Sequence, residues 1–515
     1  MMPANSKNKG RSLDANLDRT NFGATLLVIA LVSVPLILNP EAGAAAVQQT
    51  YSLVAANFGW LYALAGIAAM VVLLWLAFGP YGRVVLGKEG EQPEYSTYSW
   101  IAMLFCAGVG AGLMYWSVIE WASYYDAPPF NVEPRSLEAA KWASSYGLFH
   151  WGFTAWAFYC LPTLAIAYPF YATGVPVLKY SLGCHYWLAG KEESAPARAI
   201  DFLFMIALIG GAGSSLGFST PLIATLISRL TGLEMGFGLE AGVVALCVCT
   251  FAVSVYMGLD RGIKRLSDIN MALALFLLAF VFIAGPSLFI LKTSLNGVGT
   301  VIQNYVAMST WTDPFTDSGF FEDWTVFYWA WWIAYGPFVG MFVTRISRGR
   351  TIRQVILGML LYGTLGGALF YMVLGNFSLS LQLAGEVDVL AVMAASDGNQ
   401  AIVASFDALP MSTFAIALFC VVSIIFAATT YDSASYTLAS SASHQLHPGE
   451  DPARWHRSFW AVALAILPLT LMYIGGLRVA QTSVLIASLP ILFTGAASTV
   501  ALILSLRRDH SLHRD

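Results

Sequence analysis

Apolar runs long enough to cross a bilayer recur along the whole chain, and that repetition constrains the fold more than any other feature. A membrane-spanning helix needs about 20 consecutive apolar residues. Such runs fall near residues 22–39, 58–80, 98–125, 141–171, 201–228, 237–257, 268–291, 324–344, 354–376, 410–438, 458–477 and 483–505. No water reaches backbone N–H and C=O groups inside the bilayer, so each run must close its hydrogen bonds within a helix. Only 11% of the 515 residues are charged, against about 25% in soluble chains. The sequence therefore predicts an all-α membrane protein with twelve transmembrane helices.

Cationic residues set the orientation, because short cytoplasmic segments carry the excess of Lys and Arg. Twelve spans put both termini on one side. With that side cytoplasmic, only Arg135, Lys141, Arg229, Lys292 and Arg478 of the 26 Lys and Arg lie outside. A missed or extra span would scramble this alternation. The expectation is a multi-pass protein of the cell (inner) membrane with both termini cytoplasmic and in contact with lipid. The net charge of -4 implies no bulk attraction to nucleic acid. The six cysteines show neither a disulfide framework nor zinc spacing, which predicts buried, reduced thiols. The polar N-terminus is too long for a signal peptide, and the first apolar run lacks a cleavage pattern.

Three spans are irregular. Span 3 contains CAGVGAGLMYW, with Gly108, Gly110 and Gly112 roughly 15–20 Å along the helix. Span 8 packs Trp324, Trp329, Trp331 and Trp332 into nine residues, then meets Gly336–Pro337 and Gly340. It ends in Arg345, Arg348, Arg350 and Arg353, which the charge alternation makes a cytoplasmic anchor. Span 10 contains FAATTYDSAS, with Asp432 inside a membrane segment. Spans 3 and 8 open two blocks of five, 3–7 and 8–12. Interrupted helices at matching positions of two halves point to a transporter site, so Gly336–Pro337 is expected to break span 8 as the glycines break span 3. Residues 293–322 are too polar to span and read as an outer amphipathic connector.

Several constellations carry chemistry, and each has a plainer reading beside it. Span 4 reads HWGFTAWAFY, where Trp156 and Tyr159 share a helix face and Trp151 widens the arc. With Trp331 and Trp332 they make a box that attracts a quaternary ammonium through the ring quadrupoles; interfacial belts or helix packing also use such residues. The glycines either let the backbone unwind or permit close packing of small residues. Thr429 and Thr430, with unwound carbonyls, make an oxygen shell suited to sodium, or bond back to their own helix. Intramembrane Glu120 and Asp432 default to functional hypotheses, and a structural role, such as pairing with an arginine, is favoured over proton carriage. His150 beside Trp151 is read as a packing histidine.

WAWWIAYGPFVGMFVTRISRGRTIR closely resembles the signature of the betaine/choline/carnitine transporter family. The glycine stretch, HWGxxxW and the TTxDSAS run lie where that family has them, and the resemblance covers essentially residues 20–506. It implies the leucine-transporter-like fold, with two peripheral helices before two inverted five-helix repeats. The expected layout is a cytoplasmic tail 1–21, peripheral helices 22–92, a first repeat 93–292, the connector 293–322, a second repeat 323–506 and a tail 507–515. It also implies a homotrimer that moves zwitterionic trimethylammonium compounds and carries no cofactor. Trp151, Trp156, Tyr159 and Trp332 match the family's central box, with Trp331 adjacent. Tyr115 matches an aromatic that closes over the substrate, while Trp324 and Tyr335 match positions along the pathway. Phe426, Thr429 and Thr430, with backbone of Cys106 and Val109, match a sodium site, so sodium is expected as the coupled ion.

Departures bear on that coupling. Leu208 and Ala212 stand where sodium-coupled members place two threonines. Asn270 stands near where sodium-independent carnitine exchangers have an arginine. Gly112 replaces the aspartate of proton-coupled choline carriers. Sodium-independent exchange and proton-coupled choline uptake are the alternatives. A membrane enzyme would need a polar catalytic cluster, and no such spacing is present; a channel is ill served by an aromatic-lined midplane.

Overall fold

The computed structural model describes residues 16–512, apart from 89, 173, 176–177, 258, 317, 445, 447–450 and 475–476. Lys7, Lys9, Arg11 and Arg514 of the expected cytoplasmic tails lie outside these. Among the described residues the chain is helical, with two isolated bridges in place of any strand. Among the described residues, nine helices are long and apolar enough to cross a membrane, or ten spans if one sharply bent pair is counted as one. The protein is therefore a multi-pass membrane protein.

Helices α1 (Arg19–Leu38) and α2 (Pro40–Phe78) come first. The third predicted run is broken into α3 (Thr97–Ala107) and α4 (Ala111–Asp126), bent by 63°. The fourth holds α5 (Leu137–His150) and α6 (Phe153–Ala172). Then come α7 (Ala195–Thr231), α8 (Phe237–Met257), α9 (Leu259–Ala284) and α10 (Ser287–Thr310). A π-helical turn, Phe321–Val326, leads into α11 (Phe327–Ile346). The ninth run is α12 (Ile352–Ala384), with π-helical turns at Met359–Gly363 and Tyr371–Gly375. Short helices α13 (Val389–Ala395) and α14 (Gly398–Asp407) precede α15 (Ser412–Ser441), α16 (Arg454–Ile474) and α17 (Leu477–Leu512). The sixth and eleventh predicted runs fall on α8 and α16, which are not among the nine.

Two boundaries differ from the sequence reading. The connector helix starts at Ser287 rather than 293, because Gly285–Pro286 ends α9 early; proline has no N–H to continue the ladder. Its exposed stripe, Leu288, Leu291, Leu295, Ile302 and Val306, opposes a buried face containing Ile290, Gly297 and Val301. More consequentially, α11 runs unbroken through Gly336–Pro337. A Cβ on Gly336 would lie 2.9 Å from the Phe158 carbonyl, and one on Gly340 would lie 3.0 Å from the Thr163 amide. These glycines let α11 sit directly on the backbone of α6. Lipid is as apolar as a side chain, so such close contact, rather than water exclusion, drives helix association in a membrane.

Segments that the charge alternation assigns to one side meet in the structure. Asp18 N–H donates to the Ala442 carbonyl at 2.8 Å, and Leu86 N–H to that of Arg350 at 2.8 Å. The arginines after α11 hold this face together. Arg348 pairs with Glu91 at 2.7 Å, Arg350 donates to the Tyr95 carbonyl at 2.9 Å, and Arg353 to that of Ala77 at 2.7 Å. The Lys88 amide, with Arg348 beside it, holds the Glu91 carboxyl below the usual carboxylate range. Elsewhere, Arg229 grips Asp407 through Nε at 3.1 Å and Nη2 at 2.9 Å, tying α14 to α7. All six cysteines are unpaired, and Cys106 and Cys249 are exposed rather than buried as expected.

Candidate substrate site

The glycine run of span 3 forms the floor. Gly108 caps α3 and Gly110 is extended, with φ -147° and ψ 178°. Helix α4 restarts at Ala111, and its Gly112 N–H is bound by Ser215 Oγ of α7 at 3.2 Å. A Cβ on Gly112 would lie 3.1 Å from the Trp331 ring, so the missing side chain admits that indole. The start of α4 therefore abuts the aromatic cluster with its positive helix end.

One wall is a slab on α11. Trp331 and Trp332 stack at 5.3 Å between ring centroids and 6° between planes. Tyr328, one turn earlier, continues the slab at 5.7 Å from Trp332. The opposing wall comes from α5 and α6. The chain turns at Trp151–Gly152, and a Cβ on Gly152 would meet the Leu148 carbonyl at 2.3 Å. This turn swings Trp151 edge-on to Trp332, at 4.7 Å and 71°. Tyr159 meets Trp332 at 5.9 Å and 84°, and Trp156 meets Tyr159 at 5.4 Å and 82°. The Trp332 N–H donates to the His150 carbonyl at 2.8 Å, fixing the slab against the turn. Trp156, Tyr159, Trp331 and Trp332 are buried, and Trp151 is half-buried.

Tyr115 does not join this cluster directly. It stacks on Phe218 of α7 at 6.0 Å and 18°, and Phe218 in turn lies 5.8 Å from Trp331. Its hydroxyl occupies the space a Cβ on Gly398 would need, so α14 covers it. Trp324 lies against Trp116 and Tyr124, and Tyr335 against Gly211. Tyr328, Phe218 and Gly363 are participants that sequence reasoning missed. Gly363 sits in the first π-helical turn of α12, where a Cβ would fall about 2.3 Å from the Trp156 ring.

The threonine hydroxyls of span 10 bond back to their own helix. Thr429 and Thr430 donate to the Phe426 carbonyl at 3.0 and 2.9 Å. The Cys106 carbonyl accepts the Val109 N–H at 3.1 Å. The two intramembrane acids diverge. Asp432 has the arginine expected of it, with Arg457 Nη2 at 2.8 Å. Glu120 has none: it accepts from Tyr124, Tyr328, Tyr371 and the Trp151 indole instead. His150 is fully buried as a packing residue and bonds Tyr124 and Thr325.

Perpendicular and stacked rings around a helix break suit a bulky cation that has no hydrogen to donate. Comparison with known proteins identifies the family of the chain. Residues 21–511 match the model of the betaine/carnitine/choline family transporters, and the chain belongs to that family. It is a transporter rather than an enzyme. It is 37% identical over 447 residues to an uncharacterised transporter, YeaV, of Escherichia coli (strain K12), covering 86% of this chain and 92% of that one. It is 34% identical over 505 residues to a glycine betaine transporter of Acinetobacter baylyi, covering 97% and 75%. It is 31% identical over 494 residues to a carnitine transporter of Acinetobacter baumannii, covering 94% and 89%.

Proposed function

We propose that the protein is a secondary active transporter of a zwitterionic trimethylammonium solute such as glycine betaine or carnitine, coupled to sodium. The observation that carries this reading is the meeting of Trp151, Trp156, Tyr159, Trp331 and Trp332 beside the α3–α4 break. The rings hold the trimethylammonium head, each contact contributing about 0.5–2 kcal/mol. The positive start of α4 at Gly110–Gly112 favours the carboxylate. Sodium binds at Thr429, Thr430 and the backbone of Phe426, Cys106 and Val109. Alternating access comes from one helix bundle rocking about this site. In this reading the chain has twelve spans in two inverted repeats, sits in the inner membrane with cytoplasmic termini, and works as a homotrimer.

A second reading, sodium-independent exchange, has its own support. Both threonine hydroxyls are engaged by their own helix, and apolar Leu208 and Ala212 are fully buried where a second sodium site would need hydroxyls. Binding to the purified protein tests the shared core of both readings. Glycine betaine, carnitine, choline and dimethylsulfoniopropionate are titrated by tryptophan fluorescence, with and without sodium. At least one trimethylammonium compound is expected to saturate the signal, and Trp332→Ala to weaken it at least tenfold. Unaltered affinity in a folded Trp332→Ala protein rejects the box.

A further inference from the structure

Glu120 is a buried carboxyl with a shell of donors and no lysine or arginine partner among the described residues. It is 1% exposed, at the level of the aromatic cluster. Tyr124 donates to Oε1. Tyr371, Tyr328 at 2.5 Å and the Trp151 indole at 3.2 Å all donate to Oε2. The indole has only a hydrogen to give, and three donors crowd one oxygen, the arrangement an anion takes. The imidazole of His150 is the nearest side chain able to carry a positive charge among the described residues, with Nδ1 3.9 Å from Oε1, beyond hydrogen-bond reach. That Nδ1 lies 2.8 Å from the Tyr124 hydroxyl instead. By contrast, Asp432 is matched by Arg457. An anion at membrane depth is costly unless matched, and among the described residues no lysine or arginine matches this one.

The Trp151 indole joins this anion to the box. Its N–H edge faces the carboxylate, while the ring meets Trp332 at 4.7 Å. A hydrogen bond to an anion draws the N–H proton away and leaves the ring richer in π density. Tyr328 is a second link, because its hydroxyl binds Glu120 and its ring stacks on both Trp331 and Trp332. Neither link gives the substrate a carboxylate oxygen to touch. Both place negative potential behind the rings that receive the ammonium.

We infer that Glu120 is a specificity-determining residue: its carboxylate, acting through Trp151 and Tyr328, is the counter-charge by which the site selects a cationic head over an uncharged one of equal shape. This rests on the quaternary ammonium reading above. It differs from a purely structural role in one measurable respect. A scaffold residue weakens every ligand that fits the box when it is lost, whereas loss of a counter-charge weakens only ligands with a cationic head.

The test compares cations with their carbon isosteres on the full-length purified protein. Glycine betaine is paired with 3,3-dimethylbutanoate, and choline with 3,3-dimethylbutan-1-ol. Glu120→Gln removes the charge at constant shape. It is expected to weaken the cationic probe that binds by roughly tenfold, the effect of one charge several ångströms away in a partly screened site. The uncharged alcohol should change less than twofold, and the anionic 3,3-dimethylbutanoate should not weaken. An equal loss for both members of the pair, or no loss, overturns the inference. Tyr371→Phe supplies a second arm that keeps the ring and the charge but removes one donor. Cation affinity should then be retained or increased; a fall overturns the inference even if Glu120→Gln does not fold. Failure of the parent reading looks different, because wild-type protein would then bind neither glycine betaine nor choline.

Discussion

At the scale of single residues, the site depends as much on absent side chains as on aromatic ones. Gly363 leaves no room for a methyl group beside Trp156, and one on Gly112 would crowd Trp331 and Ser215. Gly363→Ala is therefore expected to displace Trp156 and weaken quaternary ammonium binding about tenfold or more, without loss of the folded protein. Binding titration beside a thermal melt checks this; unchanged affinity would show that Trp156 is not held by that contact. The aromatic residues themselves were legible in the sequence, because Trp156 and Tyr159 share a helix face and Trp331 and Trp332 lie inside an apolar run. Phe218, Tyr328 and Gly363 were not. Their importance lies in what another helix brings opposite them, and no periodicity within one segment encodes that. Glu120 was visible as an intramembrane acid, but its four donors come from α4, α5–α6, α11 and α12 and could not be read off one stretch.

At the scale of elements, two glycine-rich stretches that look alike in sequence behave differently. In span 3 the run GVGAG ends one helix and starts another, since three glycines in five residues remove both propensity and side-chain packing. In α11 the single Gly336–Pro337 pair does not break the helix. Breakers of this kind are tolerated in membrane helices where neighbours pack closely, and here Gly336 and Gly340 bring α11 onto α6. The sequence signal for a breaker and for a packing glycine is the same residue; the neighbouring backbone decides. Gly340→Leu is thus predicted to separate α11 from α6, lowering the melting temperature and with it substrate affinity. A Gly340→Leu protein as stable as wild type would contradict the close-packed interface.

At the scale of the whole molecule, segments that the sequence expects on one side of the bilayer are in contact. The segments around residues 18, 86, 350 and 442, which the charge alternation expects on one side, bond in pairs. That much of the architecture follows from charge and hydropathy, because the bilayer forces both. The coupling ion does not, because a hydroxyl that bonds back to its helix and one that also faces sodium are the same residue in the same place. The account turns on uptake of labelled glycine betaine and carnitine into proteoliposomes, with and without an inward sodium gradient, by wild-type, Trp332→Ala and Thr429→Ala/Thr430→Ala proteins. It predicts sodium-stimulated uptake of at least one solute by wild type, none by Trp332→Ala, and loss of sodium stimulation in the double threonine variant. Uptake at full rate without sodium would remove the threonine assignment, and uptake surviving Trp332→Ala at full rate would contradict the account itself.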